Sequence, residues 1–183
     1  MTHLILSTIY FLLPAYAANM APVFAARLNF FPRLAHPLDG GKQWFGDYLI
    51  GSGKTWRGLV VGVLIGTIIG GLQGVVYDLG WIRSLSPIEL TSLSGLLLGF
   101  LAGLGSLLGD SLESFIKRRV GIRSGNAWPV FDQVDFIIGA FVLMMLVTPW
   151  NWQRFTTGII ITLILTPLSN WAGYHLKIKK VWW

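Results

Sequence analysis

Apolar positions along this chain gather into long runs, with polar residues confined to the segments between them. Five runs, over residues 4–26, 58–77, 93–112, 134–150 and 157–175, reach or approach the length needed to cross a bilayer. A helix requires about 20 predominantly apolar residues for that crossing. The pattern predicts an all-α integral membrane protein of about five transmembrane helices, forming a single domain over 1–183. Ala15-Tyr16-Ala17 after the first run resembles a leader cleavage site, but Met1-Thr2-His3 lacks the positive start of a signal peptide. The run is therefore read as a retained span.

The second run carries Gly58, Gly62, Gly66, Gly70 and Gly74, and the third carries Gly95, Gly99 and Gly103. Lipid removes the hydrophobic drive between helices, and small residues four apart replace it by letting two backbones touch. The partner of this face is either the neighbouring helix or a second copy of the chain, which would give a homodimer through glycine-rich helices. Pro167 is expected to kink the last helix, and Asn19 and Asn170 to serve as interhelical hydrogen-bonding groups or substrate contacts.

Charge orients the bundle. Arg27, Arg33, Lys42, Lys54 and Arg57 lie in the first connection, Lys117, Arg118, Arg119 and Arg123 in the third, and Lys177, Lys179 and Lys180 in the tail. Of the 14 Lys and Arg residues, only Arg83 and Arg154 fall on the other side. Basic loops face the cytoplasm, so the N-terminus is expected outside and the C-terminus inside. Trp81, Trp150, Trp152, Trp182 and Trp183 suit the two interfaces. With 12% charged residues against about 25% in soluble domains, and a mean hydropathy of +0.63, lipid is the expected solvent. No cysteine is present, which excludes disulfides, thiolate nucleophiles and cysteine metal sites. The net charge of +6 belongs to these loops, and no basic stripe carries interleaved aromatics, so nucleic acid is not an expected partner.

The acidic residues follow the same side. Of 8, only Asp78 and Glu89 fall outside; Asp39, Asp47, Asp110, Glu113, Asp132 and Asp135 lie in or beside the two basic connections. Asp110 and Asp135 sit where apolar runs meet their loop, a depth at which an unpaired carboxylate is costly. If the third helix continues past the bilayer, Asp110, Glu113, Ser114 and Lys117 share one face, and Asp132 and Asp135 form a second pair on the returning helix. Two carboxylate pairs beside Lys117, Arg118 and Arg123 suit Mg²⁺ with a polyphosphate. The same spacing also suits a ring of interfacial ion pairs. Gly51-Ser52-Gly53-Lys54-Thr55 suggests a phosphate loop, but Tyr48 stands where that motif needs its first glycine. What survives is a flexible segment delivering Lys54, Thr55 and Arg57 to a helix start that favours anions. His3, His36 and His175 are scattered and form no imidazole metal cluster.

Gly109-Asp110-Ser111-Leu112-Glu113-Ser114, then Lys117-Arg118-Arg119 and Gly121, then Pro129 and Asp132-Gln133-Val134-Asp135 resemble the signature of membrane CTP-dependent cytidylyltransferases. Lys54-Thr55-Trp56-Arg57-Gly58 and Leu38-Asp39-Gly40-Gly41 are similar, within that group, to CDP-archaeol synthase, which is related to phosphatidate cytidylyltransferase. Arg123-Ser124, Pro129-Val130-Phe131 and Gln133 depart from the phosphatidate pattern and favour the ether-lipid branch. The resemblance implies transfer of CMP from CTP to an isoprenoid ether-lipid phosphate of the 2,3-bis-(O-geranylgeranyl)-sn-glycerol 1-phosphate type. CDP-diacylglycerol synthesis is the alternative product, and a small transporter or a membrane subunit the non-enzymatic readings. It implies a multi-pass protein of the cell membrane with its active site toward the cytoplasm. Lys54, Asp110, Lys117 and Asp135 would be catalytic. Lys54, Thr55, Arg57, Glu113, Ser114, Lys117, Arg118 and Arg123 would bind CTP and lipid phosphate, and Asp110, Asp132 and Asp135 would hold Mg²⁺.

Overall fold

The computed structural model describes residues 1–44, 47–123 and 126–177. Ser124, Lys179, Lys180, Trp182 and Trp183, used above, lie outside the described residues. Helix α1 spans Thr2–Arg27, α2 Trp56–Val75, α3 Gly80–Leu85, α4 Ser92–Arg119, α5 Phe131–Met144 and α6 Trp152–His175. Four of these, α1, α2, α4 and α6, are long and apolar enough to cross a membrane. The fourth expected span is shorter than its apolar run. Helix α5 stops at Met144 rather than reaching Trp150, and its 14 residues rise about 21 Å, short of a hydrocarbon core of about 30 Å. The short α3, a turn of 3₁₀ helix at Pro32–Leu34 and a two-residue antiparallel pair, β1 Gln43–Trp44 with β2 Asp47–Tyr48, were not legible as apolar runs.

The helix ends have local causes. Thr55 caps α2 by accepting the Gly58 amide, and Asn151 caps α6 by accepting that of Arg154 at 2.8 Å. Thr91 and Ser94 form a reciprocal capping box at the start of α4. At the other end, Gly121 adopts φ +80°, a left-handed turn that suits glycine. Helix α6 runs through Pro167, and α1 contains Pro14 and Pro22.

The glycine faces of α2 and α4 meet within the chain. A Cβ on Gly66 would lie 2.9 Å from the Gly99 carbonyl and 3.0 Å from Gly103 Cα, and one on Gly70 2.6 Å from Gly99 Cα. A homodimer through these glycines would have to separate α2 from α4. A second backbone contact of the same kind joins α4 to α5 through Gly105, Gly109 and Gly139. Phe11, Leu12 and Ala15 of α1 pack with Leu98 and Ala102 of α4 and with Phe136, Ile137, Ala140, Phe141 and Met144 of α5. Gln73, buried on α2, donates to the Tyr10 carbonyl at 2.5 Å and ties α1 to α2.

The bundle has two distinct ends. At one, His3 Nε2 lies 2.7 Å from the Ser84 carbonyl. At the other, Arg27 reaches the Lys177 carbonyl, and the start of α2, the last turns of α4 and the start of α5 come together. The described residues of the basic segments identified from sequence, Lys177 of the tail among them, share this second end.

Candidate active site

Helix α4 continues without a break from its apolar stretch to Arg119, which places Asp110, Glu113 and Lys117 along one face. Helix α5 returns beside it, and glycine sets how closely. A Cβ on Gly139 would fall 2.8 Å from Gly109 Cα and 2.9 Å from its nitrogen; one on Gly109 would run into the Asp135 carbonyl. The backbone bearing Asp135 therefore lies directly against the turn of α4 that carries Asp110.

Three carboxylates converge at this crossing. One oxygen each from Asp110, Glu113 and Asp135 falls within 4.8 Å of the others. Lys54, immediately before the Thr55 cap of α2, places its Nζ 2.6 Å from both oxygens of Asp110. Burial pulls the Lys54 ammonium down, but the charge and hydrogen bonds of Asp110, helped by Asp135 and Glu113, outweigh it and hold the group above the ordinary lysine value. Asp135 accepts the Phe136 amide at 2.7 Å.

Asp132, expected with Asp110 and Asp135, instead faces Lys117. Lys117 Nζ donates to Asp132 Oδ1 at 2.7 Å and lies 3.6 Å from Glu113 Oε1, while the other Asp132 oxygen accepts the Trp128 amide at 2.7 Å. Glu113 and Lys117 are both buried, their side chains 7% and 8% exposed, a position charged groups hold only when paired. Glu113 thus faces Lys117 on one side and the carboxylate group on the other. Its buried neighbour Ser114 donates to it at 3.5 Å.

The other expected cations are directed elsewhere. Arg118 is buried and donates to the Ile122 carbonyl at 2.5 Å, closing the chain after α4. Arg57 reaches Asn29 Oδ1 at 3.3 Å, and Arg123 is exposed on the following loop. Arg119, which was not among the expected site residues, donates to the carbonyls of Trp44 and Tyr48, with its guanidinium 5.1 Å from the Trp44 ring centre.

Beside Lys54 and Asp110 opens a cavity of about 790 Å³. Its wall includes Thr55 and Ser111, the polar Asn19, apolar groups of α1 and α2 such as Pro22 and Leu59, and Lys177. Asn19 belongs to this cavity, a placement that its membrane depth alone left open. The α4–α5 glycine contact also escaped sequence reading, although Gly105, Gly109 and Gly139 are the signal that could have revealed it.

A family model described as CarS-like, CDP-archaeol synthase, matches residues 1–183. The chain is 36% identical over 182 residues to the CDP-archaeol synthase of Methanocaldococcus jannaschii, covering 98% of each chain. It is 40% identical to that of Methanospirillum hungatei, covering 94% of this chain and 100% of the relative. A solved structure described as an intramembrane enzyme for archaeal membrane lipid biosynthesis superposes with a TM-score of 0.69 at 30% identity, covering 88% of this chain and 91% of its own. Alike in sequence over its whole length and in helix arrangement, the chain belongs to the CDP-archaeol synthase family.

Proposed function

We propose that this protein transfers CMP from CTP to an isoprenoid ether-lipid phosphate, giving a CDP-archaeol lipid and diphosphate, at the cytoplasmic face of the cell membrane. The observation that carries the reading is the juxtaposition of Lys54 and three carboxylates with a cavity walled partly by polar groups and partly by the apolar faces of α1 and α2. A reaction between a nucleoside triphosphate and a membrane lipid needs a site polar at one end and open to apolar chains at the other.

In this reaction an oxygen of the lipid phosphate forms a bond to the α-phosphorus of CTP, and the bond from that phosphorus to the diphosphate breaks. Both reactants are anionic, so positioning and charge neutralisation supply most of the acceleration. Lys54 presents its ammonium at the cavity wall and neutralises approaching phosphate oxygens. At rest it is held by Asp110, so the two must separate or share partners as substrates arrive. Lys117, fixed between Asp132 and Glu113, keeps a second positive charge beside the carboxylates. The capped start of α2 adds backbone N–H groups that favour phosphate. The donor set fits Mg²⁺: three carboxylates in reach of one another are hard oxygen ligands. Asp110, Glu113 and Asp135 would hold that ion, which supplies neutralisation of triphosphate charge when bound. Asp132 serves through its pairing with Lys117. Thr55 supports the site by capping α2, Arg118 by closing the α4 terminus and Ser114 by donating to Glu113, while Arg57 and Arg123 stay outside the group of contacts around Lys54 and the carboxylates.

The test is assay of purified protein with radiolabelled CTP, Mg²⁺ and a panel of lipid phosphates. Ether-lipid phosphate should be converted and EDTA should stop conversion; equal use of phosphatidic acid would transfer the assignment to the diacyl product. Asp110→Asn and Asp135→Asn should each lower turnover by about a hundredfold or more, whereas an exposed interfacial ion pair is worth only about 1 kcal/mol. Asp78→Asn, at the opposite end, should be silent. Orientation is tested in the cysteine-free chain: Lys42→Cys should react with impermeant maleimide only in opened cells, and Arg83→Cys in intact ones.

A further inference from the structure

We propose that Asp39 is a positioning residue for the transfer reaction: its carboxylate locks the loop between α1 and α2 in the register that delivers Lys54 to Asp110. The inference rests on Lys54 and Asp110 forming part of the active site, and adds a residue outside both the carboxylate group and the cavity wall.

Lys54 stands at the end of a long excursion, and its approach to Asp110 depends on how the two limbs of that excursion meet. Leu38 donates its amide to the Lys54 carbonyl at 2.8 Å, Trp56 donates to the His36 carbonyl at 3.1 Å, and Pro37 pairs with Thr55. Asp39 is the next residue along. Its Oδ1 accepts the Gly41 amide at 2.9 Å, and its Oδ2 accepts the amides of Ile50 at 2.9 Å and Gly51 at 3.3 Å. One carboxylate thus ties the outgoing limb to the returning limb just before Lys54. Burial pushes the Asp39 carboxyl up, but these amides outweigh it and hold it below the ordinary aspartate value.

The surrounding sequence gives this tie several turns to hold. Gly40, Gly41 and Gly51 have φ of +63°, +74° and +117°, conformations that side-chain-bearing residues rarely adopt. Added Cβ atoms on Gly40, Gly41 and Gly53 would meet nothing within 4 Å, so no close backbone contact holds these glycines in place. At the far side Arg119 holds the Trp44 and Tyr48 carbonyls, anchoring the hairpin to α4. Between that anchor and the Thr55 cap, the Asp39 carboxylate joins the two limbs, beside one backbone bond from the Leu49 amide to the Lys42 carbonyl at 3.0 Å. An amide in its place offers one acceptor and turns an NH₂ donor toward amides that are themselves donors.

The test uses the full chain, whose lack of cysteine makes introduced thiols unique. A Lys54→Cys/Asp110→Cys pair should be bridged rapidly by a short bifunctional thiol reagent when Asp39 is intact. Asp39→Ala should slow bridging at least about fivefold and, in the otherwise native chain, lower kcat about tenfold or more, the scale expected for a group displaced by a fraction of an ångström to 1 Å. Asp39→Asn should fall between, and provides the same comparison if the alanine variant does not accumulate. Equal bridging rates with and without Asp39, or slowed bridging with unchanged kcat, would overturn the proposal. Lys54→Ala, assayed alongside, tests the site assignment by itself: full turnover there would reject the role of Lys54 irrespective of the bridging result.

Discussion

Gly139→Ala tests whether helix contact, rather than the carboxylates alone, sets the geometry of the site. The added methyl would lie 2.8 Å from Gly109 Cα and 2.9 Å from its nitrogen, and would also run into the Gly105 carbonyl. All three are backbone atoms of a regular helix, so no side-chain rotation relieves the overlap. Restoring an ordinary contact requires α4 and α5 to separate by roughly half an ångström or more, and overpacking of this kind costs about 1–3 kcal/mol. That displacement acts where Asp135 faces Asp110 and Glu113. A shift of 1 Å in a reacting constellation can cost about a hundredfold, so a drop in turnover of about tenfold is expected here. Assay of CMP transfer beside unfolding in a fixed detergent separates the two effects. Gly80→Ala is the control, since its Cβ would meet nothing within 4 Å. Native stability together with native turnover in Gly139→Ala would refute the reasoning.

Lys117→Met removes the cation shared by Asp132 and the buried Glu113 while keeping a flexible chain of similar length. Breaking such a pair leaves an uncompensated buried charge and costs about 3 kcal/mol, the low end of the usual range because Asp132 is 32% exposed; the unfolding midpoint and turnover should both fall, and a silent substitution would show that Glu113 has another counter-charge. Acid should loosen the 38–54 loop. With its carboxyl depressed from 3.8, Asp39 contributes stability that is fully present above the unfolded value and lost as pH falls through the folded one. Protease protection of the loop should therefore be constant above pH of about 4 and decline below it, and Asp39→Asn should remove that dependence.

The parts of the fold visible in sequence were those carried by long, uniform signals. Apolar runs located the long helices, and glycines every fourth residue on α2 matched those on α4. The run at 134–150 is longer than its helix because its apolar residues continue beyond it: Met145 to Val147 form turns after Met144 and remain exposed. At the site, Asp110, Glu113 and Lys117 were legible once α4 was allowed to continue, because spacing along one helix is a local property. Which carboxylate joins which group was not, since that depends on the rotation of α5 against α4. Asp132 and Asp135 lie three residues apart on the same helix, yet one pairs with Lys117 and the other faces Asp110 and Glu113.

Rotation and separation of α4 and α5 are set largely by residues without side chains, and this bears on how the site holds its charges. A contact between leucines can adjust through rotamers, whereas contact between Gly109 and Gly139 leaves only the backbone to move. The carboxyl groups beside it are therefore held near one another by packing. Lys54 and Lys117 each pair with one of them, one from a loop and the other from α4 itself. The difference in attachment matters. Lys117 is buried and fixed by the same helix as Glu113, so it suits a constant counter-charge. Lys54, with 27% of its side chain exposed at the cavity wall, would under the proposed reaction exchange Asp110 for an incoming phosphate without unpacking a helix. That freedom is useful only if the loop returns Lys54 to one place, which is the work assigned to Asp39.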